Sequence, residues 1–258
     1  KKIWLKEENM SPLRYYTTKQ AEKLSAEIGS DNLIIDYAMR YGSPSLQTKI
    51  KKLHMTGCEN LVVLPLYPQY AAATTATVCD EVYRNLMKMR WQPNLQIIPH
   101  YESEPLYIDA LLNSLNNKIN EISWKPDLII ASYHGIPKKY FEKGDPYHCY
   151  CQKTTRLLSE KFKEIPIKTT FQSRFGPQEW LKPYTDKTLE SLPKEGKKNI
   201  LIIYPGFASD CVETLEEISI QGKENFLNCG GLNFDTVPCL NDSKDQIDLL
   251  QHLVKKYY

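Results

Sequence analysis

An α/β fold of parallel sheets arranged in two similar lobes is predicted for this chain by three observations. Short, continuous apolar runs recur along it, of the kind buried on both faces of a parallel sheet. Longer amphipathic runs lie between them, and strands alternating with helices through short links are the pattern of parallel α/β folds. A strand running into a Pro loop and then a Thr-containing helix occurs twice, at Leu61-Val-Val-Leu-Pro-Leu-Tyr-Pro and at Leu201-Ile-Ile-Tyr-Pro-Gly-Phe. Two Rossmann-like lobes are the natural reading of that echo.

In chain order, residues 18–28 repeat apolar groups at helical spacing, with Gly29 as a stop signal. The runs 32–36, 60–66 and 95–99 read as strands. Between the last two, residues 75–89 place Val78, Val82, Leu86 and Met89 on one helical stripe. Residues 104–119 do the same with Leu106, Ile108, Leu111, Leu112 and Leu115. Trp124-Lys-Pro126 interrupts the pattern, so the lobes are expected to span 1–121 and 122–258. The second lobe repeats the scheme, with strands at 127–132, 168–172, 199–204 and 234–238. Its helices are expected at 154–162, 185–192, 213–226 and 244–257. The last of these reads as a lobe-packing helix that returns to the first lobe rather than as a membrane anchor.

Composition narrows the function classes. The chain has 258 residues and a formal charge of +2, from 33 Lys+Arg against 31 Asp+Glu. That length holds a substantial core, and so balanced a charge argues against a dedicated nucleic-acid binder. No run reaches the roughly 20 apolar residues of a membrane span, and no secretory signal is visible. Seven widely spaced Cys, an odd number, fit a reducing cytoplasm.

Ligands of open α/β sheets bind outside the carboxyl ends of the strands. The loops at Tyr67, 132–134, 172–174 and 206–210 are therefore expected to gather at one cleft. His134 directly follows the strand 127–132, where a rigid scaffold positions a side chain, and its imidazole serves as a Lewis base or proton acceptor. A hydrogen-bonded structural His explains the position as well. Glu213 and Glu217 share a helix face at i, i+4, where they can attract a divalent cation or relay protons. The bland alternative is a capping box, with Asp210 as N-cap and Glu213 as its partner. His148-Cys149-Tyr150-Cys151 offers only one Cys pair, with one intervening residue, so a structural metal is not expected and the thiols read as free. There is no Gly-x-Gly-x-x-Gly, no Walker A segment and no Gly-x-Ser-x-Gly elbow.

At these same positions the chain resembles the ferrochelatases. Leu128-Ile-Ile-Ala-Ser-Tyr-His-Gly-Ile-Pro137 with Gly144-Asp-Pro-Tyr147 is similar to that family's signature. Ser11-Pro-Leu13, Arg40-Tyr41, Tyr67-Pro-Gln-Tyr70 with Thr74-Thr75, Gln172-Ser-Arg-Phe-Gly176 with Trp180-Leu-Lys-Pro183, the segment 205–217 and Leu240-Asn-Asp-Ser243 extend the match, in order, over nearly the whole chain. The resemblance implies a class II chelatase-like fold with the ligand cleft between the lobes, and insertion of Fe2+ into protoporphyrin IX to form protohaem. It implies His134 on one face of the macrocycle, with Glu213 opposite and Glu217 continuing a carboxylate path. The substrate iron would transiently meet His134 and Glu213. Arg40, Tyr41, Tyr67, Gln172, Ser173 and Trp180 would line or support the cleft.

Three departures accompany the resemblance. The family opens with another strand and a helical lip over the porphyrin, and this chain begins at Lys1-Lys-Ile-Trp4, after that unit. Members with a [2Fe–2S] cluster hold it through four Cys that are not matched here, and Ala73 occupies one relevant loop, so no cluster or other tightly bound cofactor is expected. Cys211 stands where many members carry a second histidine. The expected partners are protoporphyrin IX and iron, in a cytoplasmic protein, with peripheral membrane contact and oligomeric state left open. Competing readings are a coproporphyrin III iron chelatase, a cobalt or nickel chelatase of a related ring, and a non-catalytic tetrapyrrole carrier.

Overall fold

The computed structural model describes residues 3–5 and 7–258. Two parallel sheets form. β1 (Asn60–Val63) pairs with β2 (Asn94–Ile97), and the second sheet runs β4 (Ile167–Gln172), β3 (Leu128–His134), β5 (Asn199–Ile203), β6 (Asn233–Thr236). The two sheets fall on either side of residue 122. Among the helices, α1 is Pro12–Ile28, α2 Leu46–Met55, α3 Thr77–Leu86, α4 Pro105–Glu121 and α5 Lys138–Glu142. They are followed by α6 (Tyr147–Lys161), α7 (Thr185–Ser191), α8 (Lys223–Asn228) and α9 (Lys244–Val254). Two π-helical stretches interrupt the α pattern, Ala72–Ala76 ahead of α3 and Glu213–Gly222 ahead of α8.

Six of the seven expected strands form. The stretch 32–36 does not: among the described residues its one sheet-type contact is an isolated bridge, Ser30 to Leu33. A strand exists only through a partner's ladder, and here the amide of Tyr37 donates to the Asp36 carboxylate while Lys49 pairs with the same oxygen. Helices α2 and α5 were not expected. For α2 the missed signal is Ser45, whose hydroxyl accepts from the amide of Thr48. Helix α1 starts ahead of residue 18 because Ser11 caps it and Pro12 takes the first turn.

The sheet pleat sorts the core of the second lobe. Ile129, Ala131, Tyr133 and Phe171 face α6 and join a large cluster that reaches Leu111 and Leu115 of α4 and Leu249 of α9. Leu128, Ile130, Ile200 and Ile202 face the other way, against Leu189, Ile218 and Phe226. Alternation places Ser132 and His134 on this second side, with the π stretch and α7. Helix α9 packs on α1 through Ile247 and Leu250 against Leu24, and on α4.

Candidate active site

Loops at the carboxyl ends of β1, β3 and β5 meet. Gln69, after β1, donates through Nε2 to the Pro205 carbonyl at 3.3 Å and to Thr154 at 3.1 Å. Asp145 accepts from the amide of Ala72 at 2.8 Å and from the amide of Tyr147 at 3.0 Å. Tyr107 donates to the Pro205 carbonyl. The buried hydroxyl of Tyr147 donates to the His134 carbonyl at 2.9 Å, fixing the end of β3.

His134 is half-buried there, and its Nδ1 lies 2.6 Å from the Gly135 carbonyl. A carbonyl only accepts, so Nδ1 carries a proton, and in the neutral ring Nε2 keeps its lone pair. The indole of Trp180 lies 6.5 Å from the imidazole, centre to centre. Trp180 is itself fixed by donating to the Phe175 carbonyl at 3.0 Å, and its backbone bridges to Pro137.

Gln172 pairs in register with His134 across β3 and β4. Its Nε2 donates to the Glu213 carbonyl at 2.8 Å and reaches Glu217 Oε2 at 3.4 Å. Ser173 adopts φ +63° and turns both donors onto the same carboxylate: its amide to Oε1 at 2.7 Å, its hydroxyl to Oε2 at 2.5 Å. A left-handed Ser is a strained choice, and here it delivers two charge-assisted hydrogen bonds. Glu217 is thereby oriented, and Glu213 stands one turn before it at the start of the π stretch.

The capping-box alternative is not what forms. Asp210 Oδ1 accepts from the Thr214 hydroxyl at 2.9 Å, and its amide donates to Asn241 Oδ1 at 2.8 Å, so no donor remains on Asp210 for the Glu213 carboxylate. The physical reason is the π stretch, which widens the first turn and seats Thr214 where a capping side chain would reach. Glu213 is therefore free for other work. Its carboxylate lies beside Cys211, whose thiol is pushed well up, first by burial and then by that negative charge.

Arg40, Tyr41 and Tyr67 form a separate group. The Arg40 guanidinium stacks on the Tyr41 ring at 4.5 Å, and Tyr41 is 72% exposed. Arg40 Nε is buried without a partner, and burial pushes the Tyr67 phenol up. Among the described residues, no hydrogen bond or ring contact joins this group to His134 or Glu213. Hydrogen bonds, sheet register and ring contacts thus link His134, Gln172, Ser173, Trp180, Glu213 and Glu217, while Arg40, Tyr41 and Tyr67 make their contacts with one another.

Among the described residues no three His, Cys, Asp or Glu side chains converge as a metal cage. All seven Cys are free; Cys151 is buried, and Cys149 beside it is exposed. His148 stacks against Phe171 and meets the Phe141 ring edge-on, and burial lowers its pKa. Two cavities, of about 180 and 370 Å³, lie away from His134, one under His100 and Lys256, the other under Tyr16 and Cys239. Ser132, in a segment the sequence already pointed to, and Thr185, which it did not, stand behind Gln172. The signal for Ser132 was a hydroxyl in an otherwise apolar strand; Thr185 carried none.

The ferrochelatase family model matches residues 1–258. The chain is 54% identical over 257 residues to the ferrochelatase of Rhizobium meliloti (strain 1021), covering 98% of this chain and 76% of that one. It is 50% identical to the ferrochelatase of Agrobacterium fabrum (strain C58), covering 98% and 75%. Among solved structures, SirB from Bacillus subtilis with Fe3+ superposes with a TM-score of 0.71 at 12% identity, covering 96% and 91%. CbiX, the terminal enzyme of sirohaem biosynthesis in denitrifying bacteria, superposes at 0.63 and 10%, covering 96% and 93%. At such low identity these two speak for the α/β fold alone.

Proposed function

The chain belongs to the ferrochelatase family, and from that premise we propose that it inserts Fe2+ into protoporphyrin IX, with His134, Glu213 and Glu217 carrying the reaction. The observation that supports these roles best is the linkage through Gln172. One side chain stands beside a base with a free lone pair in the sheet register and holds the carboxylate-bearing helix through the Glu213 carbonyl.

Insertion requires two pyrrole protons to leave while hydrated iron sheds water. In our reading Nε2 of His134 accepts a proton from the porphyrin nitrogens, because Nδ1 is already committed to a carbonyl. Glu213 and Glu217 guide iron or relay protons from the other side. Trp180 forms part of an apolar wall for the flat macrocycle, and Arg40, held over the Tyr41 ring, offers a cation to its carboxylate arms. Ser173 serves chiefly by holding Glu217. The same reading divides the chain at 121/122 into its two lobes. Iron is a substrate here, and no resident cofactor takes part. Among the described residues no helix is long and apolar enough to cross a membrane; protoporphyrin partitions into lipid, so the enzyme meets it at a membrane surface.

The test is spectroscopic. Fe2+ or Zn2+ added with protoporphyrin IX under reducing conditions should produce metalloporphyrin bands, and coproporphyrin III assayed in parallel should turn over more slowly. His134→Ala should lose at least about a hundredfold in kcat, the scale of a general base. Insertion at the normal rate by that variant would end the assignment of His134, and porphyrin binding without insertion by the native protein would favour a carrier.

A further inference from the structure

Behind Gln172 lies a chain of buried hydroxyls that none of the roles above uses. Ser132 donates to Gln172 Oε1 at 2.7 Å. Ser132 Oγ also lies 2.9 Å from Thr185 Oγ1, and Thr185 Oγ1 lies 2.8 Å from Thr170 Oγ1. Ser132, Thr170 and Thr185 are 0% exposed and Gln172 is 3% exposed.

The direction of the chain follows from valence. The amide oxygen of Gln172 can only accept, so the single proton of Ser132 points at it. Ser132 must then accept from Thr185, and Thr185 in turn accepts from Thr170. Every hydroxyl donates forward, and the series ends in the two N–H bonds of Gln172, aimed at the Glu213 carbonyl and the Glu217 carboxylate. Flipping the amide would set its oxygen against both of those acceptors. Aligned hydrogen bonds in a dry interior polarise one another, which strengthens the last donors.

We infer that Thr170, Thr185, Ser132 and Gln172 form a positioning relay that fixes the Glu217 carboxylate and the first turn of the π stretch without touching substrate. Gln172 thereby moves from lining the cleft to aiming a group within it, since both its amide hydrogens and its oxygen are spent inside the protein. This rests on the role proposed for Glu217.

Thr185 separates the alternatives, because it sits two hydrogen bonds behind Gln172. Thr185→Val keeps its shape and removes the hydroxyl; Thr185→Ser keeps the hydroxyl. In the full chain, Thr185→Val should lower kcat about fivefold, with the porphyrin KM unchanged within about twofold, and Thr185→Ser should restore the rate. Ser132→Ala should act in the same direction and serves if the valine variant folds poorly. Side-chain amide resonances of 15N-labelled Gln172, assigned by their loss in Gln172→Ala, should move upfield in Thr185→Val and not in Thr185→Ser. Unmoved resonances with a native kcat would overturn the relay. So would a raised KM at constant kcat, which would make Gln172 a substrate contact. Native turnover in Glu217→Gln would overturn the role of Glu217 instead, and the amide resonances would then decide the relay alone.

Discussion

At Gly135 a methyl group would sit 2.9 Å from the Gln172 carbonyl oxygen and 3.2 Å from the Trp180 ring, with backbone on one side and a buried indole on the other. The Gly135 amide donates to that same carbonyl at 2.8 Å, so β3 and β4 approach more closely here than a side chain allows. Gly135→Ala should therefore cost about 1–3 kcal/mol in urea melts, as overpacking does. Its activity should fall further than its stability, because the residue displaced is Gln172. Equal stability to the parent in those melts would contradict the close approach. The Gly after His134 is plain in the sequence, but its reason is not. A glycine's purpose depends on what lies across from it, and Gln172 comes 37 positions later by the numbering. His134 itself was legible from its place at a strand end. The tautomer that leaves Nε2 free was not, since it depends on a single carbonyl 2.6 Å away.

Among the elements, the π stretch Glu213–Gly222 departs most from what periodicity predicts. The sequence read as a helix over 213–226, and a helix is there, with a wider hydrogen-bonding step over ten of its residues. Apolar spacing does not distinguish the two step sizes over so short a run. What stabilises the wider step is side-chain chemistry: Ser219 donates through Oγ to the Thr214 carbonyl, five residues back, at 2.8 Å, and Tyr204 donates to the same oxygen at 3.2 Å. Ser219→Ala should cost about 1 kcal/mol and speed amide exchange locally, over residues 214–222. Exchange that rises evenly across the second lobe would show that Ser219 supports the sheet rather than the helix. The strand expected at 32–36 failed for a related reason. Its apolar residues were read correctly, but strand pairing is a property of two segments, and Asp36 occupies the amide of Tyr37.

Across the whole molecule, the segments carrying the two sheets are joined by the apolar cluster that runs from β3 to α4, and polar clasps reinforce it. Glu102 is 1% exposed and accepts from Lys153 at 3.0 Å, while His100 Nδ1 lies 2.5 Å from its other oxygen. Burial works to raise its pKa, but hydrogen bonds from His100 and Lys153 outweigh that and hold the carboxyl below the usual range. A depressed folded pKa gives stability that is present above the unfolded value, about 4.3, and is lost as pH falls through the folded one. Glu102→Gln should thus be less stable than the parent at neutral pH, and the gap should close as urea melts are repeated below about pH 4.5. A gap independent of pH would remove the ionised carboxylate from the account. The fold class was legible because alternation of strands and helices is written locally. The clasps were not, because Glu102 and Lys153 are 51 positions apart and only the fold brings them together.

All six strands among the described residues run parallel within their sheets, and the loops after β1, β3, β4 and β5 are hydrogen-bonded to one another at one end. The molecule therefore has a working end and an idle one. The idle end carries the last turns of α2 and α3, where Lys51, Lys88 and Arg90 are exposed and Met55 and Met87 are 75% and 73% exposed. For tethering the protein to a bead, a dye or an electrode, Lys88 is the natural handle: it is exposed and precedes β2, at the strand end opposite the one where His134 closes β3.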